Sequence, residues 1–277
     1  MSVRLRAGAV AFVALAAVCS SSMPAQAKPA ADIVPVPDRS KESRRAGLQI
    51  ARAIADDPSQ VRSAAFSALP PFSNPAAIST KRLAGFPRDG GSFAILSTGS
   101  ATRADSPNNS GQRSKSLGGP SIRGARDVTI LRIVVNVPKE ARCLSIRFRF
   151  LSEEFPEFVN DVFNDAFVAE LDTSNWDASS KEDPSITAPN SFATDTKGNP
   201  IRVNAVGDAS VNASRAKGTT YDAATRLLRA STPVTSGRHI LYLSIFDQGD
   251  RQYDSAVFLD RLTIDRHSPC KSGAVPD

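Results

Sequence analysis

The chain is poor in the residues that enzymes most often use for nucleophilic or metal chemistry. Two histidines, His239 and His267, occur in 277 residues. One opens an alternating apolar stretch and the other lies close to the C-terminus, so a Ser-His-Asp arrangement has little to draw on. No G-x-S-x-G elbow, G-x-x-x-x-G-K-[ST] loop or G-x-G-x-x-G turn is present, which leaves no recognisable nucleophile turn, phosphate cradle or dinucleotide turn. His and Cys spacing suited to zinc is missing as well. Tryptophan occurs once, at Trp176, so stacking platforms for a sugar-cleaving cleft are scarce. Lys and Arg give a formal net charge of +6, yet they are scattered singly, as at Arg123, Arg126, Arg132 and Arg142. With no basic block interleaved with aromatics, nucleic acid is not an expected partner.

Apolar runs long enough to span a bilayer are also lacking. The run Ala7–Val18 follows Arg4 and Arg6 and precedes Ala25-Gln26-Ala27. That order of charge, apolar core and small-x-small is a secretory signal, with cleavage expected after Ala27. It is short for a membrane anchor, which needs about 20 residues. Cys19 is preceded by Val18, too large for the residue before a lipidated cysteine. Loss of Arg4 and Arg6 lowers the charge to +4. The expectation is a secreted, extracellular protein with no membrane span after cleavage. Cys143 and Cys270 then remain, and an exported chain with two cysteines is a candidate for one disulfide, with two free thiols as the alternative.

Residues 28–44 form a Pro/Ala-rich leader without periodicity, apart from the start of a short helix expected over Arg39–Ala55, where Leu48, Ile50, Ala51 and Ile54 fall at helical spacing. Asp56-Asp57-Pro58 ends it. Beyond it, Gly, Pro, Asn and Ser punctuate short runs with two-residue alternation. Strands are expected at Ser92–Thr98, Asp127–Val137, Cys143–Phe150, Asn164–Thr173, His239–Asp247 and Tyr253–Asp265, with long loops and brief strands over Asn175–Asp208. No second core is evident. This is an all-β, antiparallel sandwich, jelly-roll-like, with one short N-terminal helix. It occupies a single domain over 45–267, followed by a tail over 268–277.

Carboxylates are the one concentrated chemical resource. In "FRFLSEEFPEFVNDVFNDAFVAE" (Phe148–Glu170), Glu153, Glu154, Glu157, Asp161 and Asp165 lie close together with Asn160 and Asn164 between them. A second oxygen-rich stretch, "DQGDRQYDS" (Asp247–Ser255), carries Asp247, Asp250 and Asp254. Calcium takes six to eight oxygen ligands, often from irregular loops, so Glu153, Glu154, Asp161, Asn164, Asp165, Asp247, Asp250 and Asp254 are candidate ligands and Ca2+ the candidate cofactor. If the two loops meet, their carboxylates repel unless a cation or Arg251 neutralises them. The alternative is structural: turn capping, with pairing to Arg147 or Arg149. Glycoside hydrolysis by two of these carboxylates is the rival of another class. The phenylalanines Phe148, Phe150, Phe155, Phe158, Phe163 and Phe167 read as core.

The string "FRFLSEEFPEFVNDVFNDAF" resembles the signature of the choice-of-anchor L domain, found in exported bacterial proteins. "GGSFAILSTGSA" (Gly90–Ala101) is similar to an early segment of that family, and the run Thr219–Leu262, containing "DQGDRQYDSAVF", to its closing part. The likeness spans roughly Gly47–Asp265, with Phe155 where the family has Tyr. It implies an exported β-rich domain with no established reaction, hence a non-enzymatic binding, adhesion or matrix-type module. An extracellular glycan or a surface protein would be its partner. Family members carry surface-sorting or secretion signals of unrelated kinds. The closing "SPCKSGAVPD" matches none, so release is the expectation.

Overall fold

The computed structural model describes residues 33–35, 43–109, 116–179, 186–266 and 269–277. The signal segment, most of the leader and His267 lie outside the described residues. In chain order the elements are β1 (Ile33–Pro35), α1 (Ser43–Ile54), β2 (Val61–Ala68), β3 (Ala76–Ser79), β4 (Phe93–Ser97), β5 (Arg126–Val137), β6 (Cys143–Ser152), β7 (Ala166–Leu171), β8 (Ile201–Arg202), β9 (Ala223–Ala224), β10 (Leu228–Pro233), β11 (Gly237–Asp247), β12 (Ser255–Asp265) and β13 (Gly273–Pro276).

The strands form two antiparallel sheets. The larger runs β1-β3-β4-β12-β6-β10-β13, with β9 also paired to β6, and the smaller runs β2-β5-β11-β7-β8. Strands β5, β6 and β7 alternate between the sheets, as do β10, β11 and β12, so the connections cross the core as in a jelly roll. Alternation along β6 explains the layering: Leu144, Ile146, Phe148 and Phe150 enter the core between the sheets, and Arg147 and Arg149 project outward. They meet Leu131, Ile133 and Val135 of β5 and Leu241, Leu243 and Ile245 of β11. Each such side chain, fully buried, contributes about 1.5–3 kcal/mol.

The outer faces are not left bare. Loops over the large sheet cover Phe86, Phe93 and Phe258, whose rings lie 5.1–6.0 Å apart. Over the small sheet Trp176 stacks on Phe246 at 4.0 Å and donates Nε1–H to Ser244 Oγ, with the Arg123 guanidinium 5.1 Å from the Trp176 ring. These are satellite clusters under loops that the sequence reading, which saw one core, did not anticipate. They also explain why β4 is buried along its whole length, since both of its faces are covered.

Helix α1 buries Ala46, Ile50, Ala51 and Ile54, one stripe at 3.6-residue spacing, and packs chiefly on β2. The first and last described strands, β1 and β13, are the edge strands of the large sheet. Within the expected leader, Ile33–Pro35 pairs with Ala77–Ser79. Within the expected tail, Gly273–Pro276 pairs with Leu228–Ser231, and the Asp277 carboxylate forms an ion pair with the Arg147 guanidinium, 2.7 Å from Nε. The Cys143–Cys270 disulfide, with Cα atoms 5.5 Å apart, ties the start of β6 to that last strand. Closing a loop of 127 residues, it contributes about 3–5 kcal/mol by restricting the unfolded chain.

Candidate acidic site at one end of the sandwich

The two acidic loops meet. Antiparallel pairing of Ser152 with Ser255 and of Ala166 with Phe246 brings the end of β6, the starts of β7 and β12 and the end of β11 to one edge of the molecule. Glu153 N–H donates to the Asp254 carbonyl at 3.0 Å, and Asn164 N–H to the Gln248 carbonyl at 3.4 Å. Phe158 closes the contact from outside, against Tyr253 at 5.0 Å and Phe163 at 5.3 Å. Phe148, Phe150 and Phe167 are core, as read from sequence, whereas Phe155, Phe158 and Phe163 are only half-buried.

Burial separates the eight candidate ligands into a centre and a rim. Glu154, Asn164, Asp165 and Asp247 are each 1% exposed, and Glu153 is also buried. Asp161 is exposed and its Oδ1 accepts the Val162 N–H; Asp250 is half-buried and its Oδ1 accepts the Gln252 N–H. Asn164 Oδ1 accepts the Asn204 N–H at 3.3 Å. Asp161 and Asp250 thus cap their own turns, as expected of the structural alternative, whereas Asn164 ties its loop to a backbone N–H distant in sequence. Asp254 lies over Gly99: a Cβ there would fall 1.6 Å from Asp254 Oδ2, so only glycine fits.

At the centre the carboxyls are held far from their ordinary state. Burial, then the charges of Asp254 and Asp222, push Glu153 up to about 8. Glu154 is raised by burial and then by Asp165, with Asp250 and Asp161 adding to the effect. Asp165 is raised by burial and then by Asp247, and Asp247 by burial and then by Asp254. Compensating bonds are few: Asp165 N–H reaches Glu154 Oε2 at 3.2 Å, Thr220 Oγ–H reaches Glu153 Oε1 at 3.4 Å, and the Ser255 and Thr98 hydroxyls ease Asp165 and Asp247 in part, with poorer geometry. Both oxygens of Asp165, Asp247 Oδ1, Ser255 Oγ and both amide atoms of Gln248 lack a partner of ordinary geometry among the described residues. Asp165 and Asp247 face each other as two acceptors, and a bond between them requires a proton on one.

The cationic partners considered from sequence are engaged elsewhere. Arg251 bonds Asp127 at 2.8 Å, together with Ser116 and the Gly119 carbonyl, rather than either acidic loop. Arg147 pairs with Asp277, and Arg149 bonds the Ala84 and Arg215 carbonyls. The reason is alternation: on β6 these arginines face away from the sandwich interior, and the acids lie beyond the strand's end. Among the described residues, no three His, Cys, Asp or Glu side chains converge as a ready ligand set. Sequence reasoning missed Thr98, Gly99, Thr220 and Asp222, which complete the acidic end from β4 and from the loop before β9. The only signal for them was their place inside the family-like strings.

Fold and site together define a two-sheet, antiparallel β module with a buried acidic end closed by loops. A family model for the choice-of-anchor L domain matches residues 59–265, and the chain belongs to that family. No curated protein matches it. The family is not an enzyme family, and its domains are typically extracellular or surface proteins. Among the described residues, no helix is long and apolar enough to cross a membrane.

Proposed function

We propose that this domain is a secreted, non-enzymatic binding or adhesion module whose acidic end takes up calcium and is braced by it. The observation that carries the reading is Asp165 facing Asp247 at full burial, both beside Asp254 and Asp165 also beside Glu154, with no Lys or Arg bonded to Glu154, Asp165 or Asp247 among the described residues. Buried like charges persist only when protonated or paired with a cation, and calcium suits oxygen donors held on loops. Uptake would draw together side chains that now stand apart. The braced end, with Val159 and Val162 exposed on its outer loop, is where an extracellular glycan or surface protein would dock.

A thermal melt in calcium against chelator tests it. At a calcium level about a hundred times its dissociation constant, binding to the folded state alone adds about 2.7 kcal/mol, or roughly 5–10 °C in a domain of this size. Equal melting temperatures would remove calcium from the account and leave protonation as the resolution. Turnover on a polysaccharide panel, lost in Glu154→Gln or Asp165→Asn, would replace the binding module by a carbohydrate-active hydrolase.

A further inference from the structure

A second charge cluster, of opposite sign and short of counter-charge among the described residues, lies on the outer face of the large sheet. Arg149 projects from β6, where its backbone partner across the sheet is Phe258 of β12. Its Nη1 donates to the Ala84 carbonyl at 2.7 Å and to the Arg215 carbonyl at 3.3 Å, and its buried Nε has no hydrogen-bond partner among the described residues. Arg215 and Arg88 are close enough to disfavour its charge, after burial itself. Arginine does not give up its proton in proteins, so this repulsion is relieved only by an anion.

Among the described residues little counter-charge is at hand: Asp208 acts on Arg215 but is shared with Arg226, which it meets at 3.6 Å. Among the described residues, Arg88, Arg149 and Arg215 make no salt bridge; Arg215 Nη1 donates to the Ser210 carbonyl. The carboxylates nearby are committed. Asp260 accepts the backbone N–H groups of Arg88, Asp89 and Arg261, and Asp89 faces Arg261 at 3.5 Å. Beside the cluster, residues 82–90 line a cleft of about 510 Å3 that includes the Arg82 and Arg88 side chains. Its wall is a tight turn, Leu83 and Phe86 exchanging both backbone hydrogen bonds, with Gly85 at φ +84°, where glycine is unstrained. A Cβ on Gly85 would lie 3.9 Å from Arg149 Nη1, so the turn sits directly against the guanidinium.

We infer that Arg88, Arg149 and Arg215, at the cleft formed by residues 82–90, bind a tetrahedral oxyanion: a sulfate or phosphate group, carried as an ester on the module's ligand. Planar guanidinium groups match such oxygens with paired hydrogen bonds. The site is separate from the acidic end and does not depend on calcium.

Titration calorimetry of the full chain with inorganic sulfate and inorganic phosphate, at ionic strength held constant with chloride, tests the assignment. Saturable binding is expected, weakened at least tenfold in Arg88→Gln and in Arg215→Gln, each checked for a native melting temperature, and unchanged in Arg238→Gln on the small sheet. Glucose 6-sulfate and glucose 6-phosphate separate the two sources; tighter binding of either than of its free anion supports the site and identifies the ester. Absence of saturable binding, or equal binding in wild type and both cleft variants, overturns the proposal.

Discussion

At the scale of single residues, the acidic end is governed by Asp165. Its carboxylate is buried and faces Asp247, with the Ser255 hydroxyl offsetting this only in part and no donor of ordinary geometry among the described residues, so its charge destabilises the cation-free fold. Asp165→Asn removes that charge at nearly constant volume. In chelator the variant is expected to be more stable by about 1–2 kcal/mol, roughly 2–8 °C in melting temperature. In calcium its stabilisation should vanish. A variant less stable than wild type in chelator would show that Asp165 is held by donors rather than strained by neighbours. That the two acidic loops could meet was legible in the sequence, because both flank strands long and regular enough to be read; that they do meet is set by the strand register. Which carboxylates are central was not. Asp161 and Asp165 look alike in the string, and only the turn between Phe155 and Phe163 leaves one in solvent and the other inside. Gly99 and Asp222 were illegible for another reason: β4 and the loop before β9 reach the site through long-range pairing with β12 and β6.

At the scale of elements, the docking of α1 shows tertiary packing overriding local propensity. Alanine is a better helix former than glycine by about 1 kcal/mol. Yet a Cβ on Gly47 would lie 2.7 Å from Ala65 Cα and 2.8 Å from Ala65 N, both backbone atoms of β2 that cannot swing aside. Gly47→Ala is therefore expected to destabilise by about 1–3 kcal/mol, the usual cost of overpacking, despite its gain in propensity. Chemical denaturation checks the sign; a stabilised variant would mean that the helix rides loosely on the sheet. The same contrast between local and long-range information divides the strands. β5, β6, β11 and β12 are long, rich in branched and aromatic residues, and stood out by alternation. β2 and β3, "VRSAAFSA" and "AAIS", are rich in alanine and serine and carry little periodic signal. β1, β10 and β13 contain proline and lie at or near an edge, where pairing rather than composition makes them strands.

For the whole molecule, two charge clusters of opposite sign, each short of counter-charge among the described residues, imply that stability depends on what the medium supplies. The acidic end sets the pH response. Glu153 has an ordinary value of 4.5 and rises to about 8 in the fold, so between these limits the folded state holds a proton that the unfolded state has lost. Stability is then greatest below the unfolded value and falls as pH rises toward about 8, the opposite of a carboxylate stabilised by a salt bridge. Glu154, Asp165 and Asp247, also raised, act in the same sense. Each group titrating in this way contributes a slope of at most about 1.4 kcal/mol per pH unit. In chelator, denaturation midpoints are therefore expected to fall steadily between about pH 5 and about pH 8, and less steeply in Glu153→Gln. Calcium replaces the proton as the neutralising charge, so at saturation the profile should flatten, with the largest gain at the alkaline end. A chelated protein whose stability is level or rising across that interval would mean that the acids are ionised and satisfied within the fold.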